Sequence, residues 1–209
     1  MKTDIHLLVL ISNRQLVVAL VAIFFSTAAL TSVSAFEAVL TNERSGTVIH
    51  IDDNGSTTHV TPICKRPRGM VRGPLGTQVI IACSDDHKLV VYNRATRTID
   101  SEILAVPGAM NVALHVATNR LLVTNEGNAS ASVFDLPSGQ LIAELPTGLE
   151  PDGIVITDDG SYIFVASENA GLVHVFDGAS YEEKDVIRTN LRPRRIALLK
   201  DELWVSSEM

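Results

Sequence analysis

The sequence predicts an all-β protein that repeats one unit of four short antiparallel strands. The evidence for the repeat is two sequence markers that recur with the same period. The first marker is a strand-rich segment whose four copies start 41 or 42 residues apart. Its copies are Leu40–Asp52, Ile81–Asn93, Val123–Asp135 and Val165–Asp177, and a fifth begins at Val205. The second marker recurs every 42 residues, at Pro67, Ala109, Pro151 and Pro193. Chance would not keep both markers in phase over four copies.

One period, from Glu150 to Asn190, shows what each repeat contains. Short runs of β-branched and apolar residues alternate with Gly, Pro, Asn, Asp and Ser, and no helical periodicity is present. We predict its strands at Gly153–Thr157, Tyr162–Ser167, Leu172–Phe176 and Lys184–Thr189. Four antiparallel strands in a period near 42 residues are typical of a β-propeller blade. Helical solenoids need amphipathic helices, which this sequence lacks.

The repeats divide the chain into five units, with three, four, four, four and two predicted strands in turn. The units lie near residues 38–66, 67–108, 109–150, 151–192 and 193–209. A seven-bladed ring would need roughly 290 residues at this period. We therefore expect about four blades, as an incomplete part of a seven-bladed ring. A closed ring of four or five blades is the alternative.

Residues 1–35 are predicted to be a secretory signal peptide that precedes the propeller at 36–209. Leu16–Leu30 is a continuous apolar run, and Val33 and Ala35 are the small residues of a cleavage site. The run is short for a membrane span, which needs roughly 20 residues. We expect a periplasmic or otherwise extracytoplasmic protein without a membrane anchor after cleavage. An uncleaved anchor is the alternative.

The charge of the chain excludes some partners. Its formal net charge is −7, and loss of residues 1–35 makes it more negative because Lys2 and Arg14 are removed with only one acid. An acidic exported chain has no electrostatic footprint for nucleic acid or for an anionic membrane. We expect neither as a partner.

Two cysteines, Cys64 and Cys83, are too few for a disulfide framework or a zinc site. An exported chain can keep a disulfide between them. However, Cys64 follows the last strand of one unit and Cys83 lies in the second strand of the next. Outermost and inner strands of adjacent blades are usually far apart, so we favour separate thiols and leave the bridge open.

Two sets of loops are predicted to share one face of the propeller, because the connections of an up-and-down blade alternate between its faces. The loops at the second marker carry basic residues, and the loops after the second strands carry acidic ones. The candidate binding residues are Arg66, Arg68, Arg192, Arg194, Glu43, Glu126 and Glu168. Arginine gives bidentate contacts to carboxylates, and each proline should hold the arginine before it extended and pointing outward. The alternative is that these residues form ion pairs between blades.

No catalytic residue, metal site or cofactor site is predicted. The innermost strands read as Met70–Arg72, Val112–Leu114, Ile154–Ile156 and Ile196–Leu198, almost wholly apolar. The histidines share neither a repeat phase nor a metal-ligand spacing, so we expect them to be structural. Motifs of serine hydrolases, c-type haem attachment and phosphate-binding loops are absent from the sequence.

The segments VTNEGNASASVFD (residues 123–135) and EPDGIVITDDGSYIFVASENAGLVHVFD (150–177) resemble the YVTN-type β-propeller repeat. RPRG at 66–69, CSDD at 83–86, RPRR at 192–195 and LWVSSE at 203–208 resemble a subgroup of it. That subgroup consists of propeller proteins encoded beside pyrroloquinoline-quinone-dependent alcohol catabolism in Gram-negative bacteria. The resemblance implies a periplasmic seven-bladed propeller without a catalytic assignment.

These observations favour a non-catalytic exported scaffold that presents loops to a protein partner in the periplasm, in association with a quinoprotein alcohol oxidation system. Two alternatives stay open. One is a propeller enzyme of the lactonase type, which needs a carboxylate or histidine facing the central channel. The other is a cell-surface interaction module.

Overall fold

The structure is a computed structural model that describes residues 37–105, 107–189, 192–200 and 202–208. The predicted signal peptide lies outside the described residues. Within the described ranges, no helix is both long and apolar enough to cross a membrane.

The described chain forms five antiparallel sheets of three, four, four, four and two strands, as the repeats predict. We call these sheets blades 1 to 5 in chain order. Blade 1 contains β1 (Ala38–Asn42), β2 (Thr47–Ile51) and β3 (Thr57–Pro62). Blade 2 contains β4 (Pro67–Arg72), β5 (Gln78–Cys83), β6 (Lys88–Asn93) and β7 (Thr98–Leu104). Blade 3 contains β8 (Ala109–His115), β9 (Arg120–Asn125), β10 (Ser130–Asp135) and β11 (Gln140–Pro146).

Blades 4 and 5 continue the same pattern. Blade 4 contains β12 (Pro151–Ile156), β13 (Tyr162–Ser167), β14 (Leu172–Asp177) and β15 (Glu183–Arg188). Blade 5 contains β16 (Arg192–Leu199) and β17 (Glu202–Glu208). Consecutive strands pair in every blade, so each blade is a simple meander. The β-propeller fold is confirmed.

The hydrophobic core lies between the faces of adjacent blades. Ile80 and Leu89 of blade 2 pack with Leu121 of blade 3, and Leu122 of blade 3 packs with Val165 of blade 4. All five side chains are fully buried. The first strands β4, β8, β12 and β16 pack against one another in series, so they are the innermost strands. The outermost strands β7, β11 and β15 carry mostly exposed residues.

The repeats show no helical periodicity, and the described residues contain only two short helical turns. Two single turns of 3₁₀ helix occur at Val116–Thr118 and Glu126–Asn128. Each joins two paired strands of blade 3. Such turns are common as short connectors and do not change the all-β architecture.

Every innermost strand contains a β-bulge at the same repeat position. The pairing register shifts between Pro67 and Met70 in β4, and likewise at Ala109/Val112, Pro151/Ile154 and Pro193/Ile196. In each case an advance of three residues along the innermost strand matches an advance of two residues along its partner strand. The innermost strands therefore start earlier than predicted: β12 begins at Pro151 and not at Gly153. A bulge re-aims the side chains beside it, and this decides what the centre of the protein presents.

Candidate functional site

The four bulges border one cavity of about 510 Å³, which we call the inner-strand cavity. It is lined by bulge residues of blades 2 to 5 and by the end of β1. The lining residues are Thr41, Glu43, Pro67, Arg68, Gly69, Met110, Asn111, Asp152, Arg194 and Arg195. The prediction that the innermost strands are almost wholly apolar is therefore wrong. It considered only the residues after each bulge, whereas every bulge also supplies at least one polar residue that lines the cavity: Arg68, Asn111, Asp152, Arg194 and Arg195.

Hydroxyl groups of the second strands hold the bulges in place. Thr124, which is fully buried in β9, accepts a hydrogen bond from the Asn111 N–H (3.0 Å) and donates to the Asp152 carbonyl of the next blade (2.9 Å). Thr41 occupies the equivalent position in β1 and donates to the Arg68 carbonyl (2.9 Å). These contacts satisfy backbone groups that the bulges leave out of the ladder. They also tie the bulges of blades 2 and 4 to the blade before each of them.

Glycine at two bulges lets adjacent innermost strands approach closely. A Cβ at Gly153 would lie 2.4 Å from the Arg194 carbonyl oxygen, and a Cβ at Gly69 would lie 2.8 Å from the Asn111 Cα. Both distances are far below van der Waals contact. Glycine is therefore required here by the backbone of the next blade.

Asp152 is the buried carboxylate of the cavity. Its side chain is 3% exposed, with Oδ1 2.8 Å from Arg195 Nη1 and Oδ2 3.4 Å from Arg194 Nε. A buried charge needs partners of opposite charge, and here two arginines of blade 5 supply them. Sequence reasoning missed Asp152 and Arg195 as site residues. The signal was present in EPDG and RPRR, where the pair after each marker proline is the bulge pair.

The predicted residues Glu43, Arg66 and Arg68 come together at the junction of blades 1 and 2. Glu43 Oε1 is 2.9 Å from Arg66 Nε, and Glu43 Oε2 is 2.7 Å from Arg68 Nη1. The Arg66 guanidinium, which hydrogen-bonds Glu43, lowers the pKa of that carboxyl below its ordinary value, and Arg68 acts in the same direction. One carboxylate thus bridges two arginines of the next blade.

The same arrangement recurs at the junction of blades 4 and 5. Glu168, buried at the end of β13, forms ion pairs with Arg192 and Arg194. Glu208 lies 3.1 Å from Arg194 Nη1. Glu126, the remaining predicted acid, forms no ion pair with a described residue. The observed geometry is that of ion pairs between blades, and binding of a protein partner by these residues stays a prediction.

The prediction that proline holds the preceding arginine extended is wrong at Arg66, whereas Arg192 begins the extended strand β16. Arg66 before Pro67 and Glu150 before Pro151 both have a φ of 55°, in the left-handed region, and Gly108 has the same hand at the equivalent position. The cause is a recurring backbone hydrogen bond. The carbonyl of this residue accepts the N–H of the residue after the second strand, as in Ser84 to Arg66 (3.1 Å) and Glu168 to Glu150 (2.9 Å).

Cys64 and Cys83 form a disulfide with a Cα–Cα distance of 5.9 Å, so the preference for separate thiols is wrong. Cys64 does not lie on an outermost strand. It lies in the connector that returns from β3 to β4, and Pro67, three residues later, pairs with Cys83. The connector therefore passes the end of β5, within the range that a disulfide spans.

The buried histidines have partners within the protein. His50 Nε2 lies 2.9 Å from the Tyr92 hydroxyl, and His115 contacts Thr118 Oγ1 (2.7 Å). His174 Nδ1 lies 2.7 Å from Glu183 Oε1, and its Nε2 accepts the Gly148 N–H. These side chains take part in blade packing and do not line the inner-strand cavity. In the part of the chain that the structure describes, no three metal-ligating side chains cluster.

The fold is similar to that of several solved proteins. Hydrazine synthase from Kuenenia stuttgartiensis is 25% identical, with a TM-score of 0.60 over 65% of this chain and 39% of that chain. A catalytically inactive variant of virginiamycin B lyase from Staphylococcus aureus, solved with quinupristin, is 19% identical, with a TM-score of 0.69 over 83% of this chain and 60% of that chain. The dihydro-heme d1 dehydrogenase NirN is 16% identical, with a TM-score of 0.62 over 81% of this chain and 39% of that chain.

These comparisons bear on the predicted function. No protein family model matches the chain. The chain spans between 39% and 60% of the length of these solved chains. Enzymes are among the proteins that share the fold, and ionisable residues line the cavity where an apolar channel was expected. The prediction of a non-catalytic scaffold is therefore contradicted, and the alternative of a propeller enzyme is favoured.

Proposed function

We propose that this chain is part of a propeller enzyme of the lactonase type, which opens a small ester or lactone at the inner-strand cavity. One observation carries the proposal: consecutive bulges turn the buried carboxylate Asp152 and three arginines toward a single cavity. Its volume of about 510 Å³ is in the range of small-molecule sites. Concave sites with a few convergent polar groups are where binding and catalysis occur.

The cavity residues have distinct roles in this reaction. When water adds to an ester carbonyl, negative charge develops on the carbonyl oxygen, and a guanidinium can stabilise it. Arg195 suits this role because its side chain is 62% exposed. Asp152 accepts the proton of the attacking water, and this proton passes to the leaving oxygen as the carbon–oxygen single bond breaks. Atoms balance as ester plus water gives acid plus alcohol.

Arg194 helps to keep Asp152 in place, and the N–H groups of Arg195 that do not contact Asp152 meet the substrate. Arg194 contacts Glu168 (3.3 Å) and Glu208 (3.1 Å) as well as Asp152, so three carboxylates fix its position. A site whose groups are held before the substrate arrives spends little free energy on reorganisation. The presence of lyases and a dehydrogenase among the matching structures supports an enzyme.

We also propose that the repeat is of the YVTN type and that the chain belongs with the exported propellers encoded beside pyrroloquinoline-quinone-dependent catabolism. The motif asparagine Asn125 supports the repeat type. It is buried at the end of β9 and donates to Ser130 and Ser132 (3.2 and 2.8 Å), which gives it a structural role in the blade. Fractionation of the native host tests whether the protein is exported. The reading frames beside its gene test the association with pyrroloquinoline-quinone-dependent catabolism.

Hydrolysis of a panel of small lactones tests the proposed function. We expect Asp152→Asn to lower kcat by about 100-fold, whereas Glu144→Gln on the outermost strand β11 should leave it unchanged. Asp152→Asn leaves two arginines without their buried partner and is expected to be less stable. Rates are therefore compared well below the melting temperatures of both the variant and the unaltered chain. A chain that hydrolyses no lactone, or an Asp152→Asn variant with the original kcat, would overturn the proposal.

A further inference from the structure

Two arginines of the inner-strand cavity have most of their hydrogen-bond donors free of contacts with the described residues. Among the described residues, the Arg68 guanidinium makes one hydrogen bond to a side chain, from Nη1 to Glu43 Oε2 (2.7 Å). In the same part of the chain, the Arg195 guanidinium makes one, from Nη1 to Asp152 Oδ1 (2.8 Å). A guanidinium carries five N–H donors. Both side chains line the cavity, so their remaining N–H groups are available to a ligand there.

Asn111 adds a neutral donor between them. Its Oδ1 accepts a hydrogen bond from the Val112 N–H (3.0 Å), which fixes the orientation of the amide. The Nδ2 group forms no hydrogen bond within the described ranges. Asn111 lies on β8 of blade 3, whereas Arg68 lies on β4 and Arg195 on β16.

The acidic residues of the cavity have no comparable capacity to bind a cation. Both oxygens of Asp152 contact arginines, and both oxygens of Glu43 do so as well. The cavity therefore offers free donors and carboxylates that are already engaged. A complementary ligand is an anion rich in acceptor oxygens, and arginine binds carboxylates in a planar, two-point manner.

The positions of the donors determine how many anionic groups such a ligand has. Arg68 and Arg195 belong to blades 2 and 5, and the innermost strands β8 and β12 lie between theirs. Different carboxylates hold the two guanidinium groups, Glu43 for Arg68 and Asp152 for Arg195, so the cavity offers two separate positions for an anionic group. We propose that the inner-strand cavity binds a small dicarboxylate, with one carboxylate at Arg68, the other at Arg195 and Asn111 Nδ2 donating to the chain between them.

This inference rests on the proposed function and names its substrate class. A lactone that carries one carboxylate presents that group to Arg68 and its ester carbonyl to Arg195. Addition of water and cleavage of the ring carbon–oxygen bond yield a hydroxy dicarboxylate, and the new carboxylate forms at Arg195. A dicarboxylate therefore resembles the product of the reaction.

Isothermal titration with succinate and glutarate tests the inference at constant ionic strength. We expect at least one of them to bind, acetate to bind more weakly and dimethyl succinate not to bind. Arg68→Gln and Arg195→Gln should each weaken binding by about tenfold or more, because each removes a charged hydrogen-bond donor. Arg72→Gln is the matched control, since Arg72 is exposed at the opposite end of β4 and should leave binding unchanged.

The outcomes separate this inference from the proposed function. Equal affinity for succinate, acetate and inorganic phosphate, or equal losses in Arg72→Gln and Arg68→Gln, would overturn the dicarboxylate site. Hydrolysis of neutral lactones without dicarboxylate binding would also overturn it and leave the proposed function standing. Dicarboxylate binding without hydrolysis of any lactone would support the site and overturn the proposed function.

Discussion

The Gly148 N–H donates a 3.1 Å hydrogen bond to Ser167 Oγ. Two blades earlier, the equivalent repeat positions are Cys64 and Cys83, which form a disulfide. In both places the connector between blades passes the end of the second strand on its way to the innermost strand. One junction closes this contact covalently and the other by a hydrogen bond. The contact therefore recurs at these two junctions of the repeat, and the disulfide is its covalent form.

Replacing the disulfide by its hydrogen-bonded equivalent should destabilise the protein without changing the fold. We expect Cys64→Gly/Cys83→Ser to lower the free energy of unfolding by about 3 kcal/mol, since the bridge closes a loop of 19 residues. Urea unfolding measures the loss. A reducing agent should produce a similar loss in the unaltered chain and none in the variant. Equal stability of variant and unaltered chain under oxidising conditions would contradict this.

Gly153 should tolerate no side chain, because the Arg194 carbonyl occupies the space. Gly153→Ala is expected to cost about 1–3 kcal/mol through the shift of β16 that it forces. Gly76→Ala is the control, since a Cβ there meets no atom within 4 Å. Thermal unfolding of both variants measures the difference. Similar melting temperatures for the two would show that the innermost strands are less closely packed than described.

Glu43 should stabilise the folded protein at neutral pH and lose this effect at acidic pH, where its carboxylate is protonated. Arg66 and then Arg68 lower the pKa of this carboxyl below 4.5 in the folded state. A group with a depressed folded pKa stabilises the protein above its unfolded pKa, and this stability is lost as pH falls through the folded pKa. Glu43→Gln should therefore lower the melting temperature at neutral pH and flatten its fall below pH 4.5.

The control for this prediction is Glu144→Gln, whose carboxylate lies on an exposed outermost strand. Its melting curve should keep the pH dependence of the unaltered chain. If Glu43→Gln and Glu144→Gln show parallel melting temperatures between neutral pH and pH 3, the ion pairs of Glu43 do not stabilise the folded state.

The architecture could be predicted from the sequence because each blade repeats its apolar runs and its turns. Tyr162–Ser167 was predicted with the bounds that the structure has, and the strand count of every unit agrees. The bulges could not be predicted in this way. They place polar residues such as Asp152 inside a strand, and the alternation of apolar residues is lost there.

The disulfide and the conformation before the marker prolines depend on the path of the connectors. Cys64 follows the last strand of blade 1 as predicted, but the connector that contains it runs back to the end of β5. Arg66 is left-handed because its carbonyl must meet the Ser84 N–H. Local proline preference alone favours an extended residue at this position. Both features are tertiary contacts and have no local sequence signal.

The kcat/KM of Arg195→Gln and Arg72→Gln for a lactone bearing one carboxylate shows whether the inner-strand cavity is the functional site. Arg195 lines the inner-strand cavity, whereas Arg72 is exposed at the far end of an innermost strand. If the bulges build the functional site, Arg195→Gln lowers kcat/KM by about 100-fold or more, and Arg72→Gln leaves it unchanged. Equal kcat/KM in both variants and the unaltered chain would contradict the account.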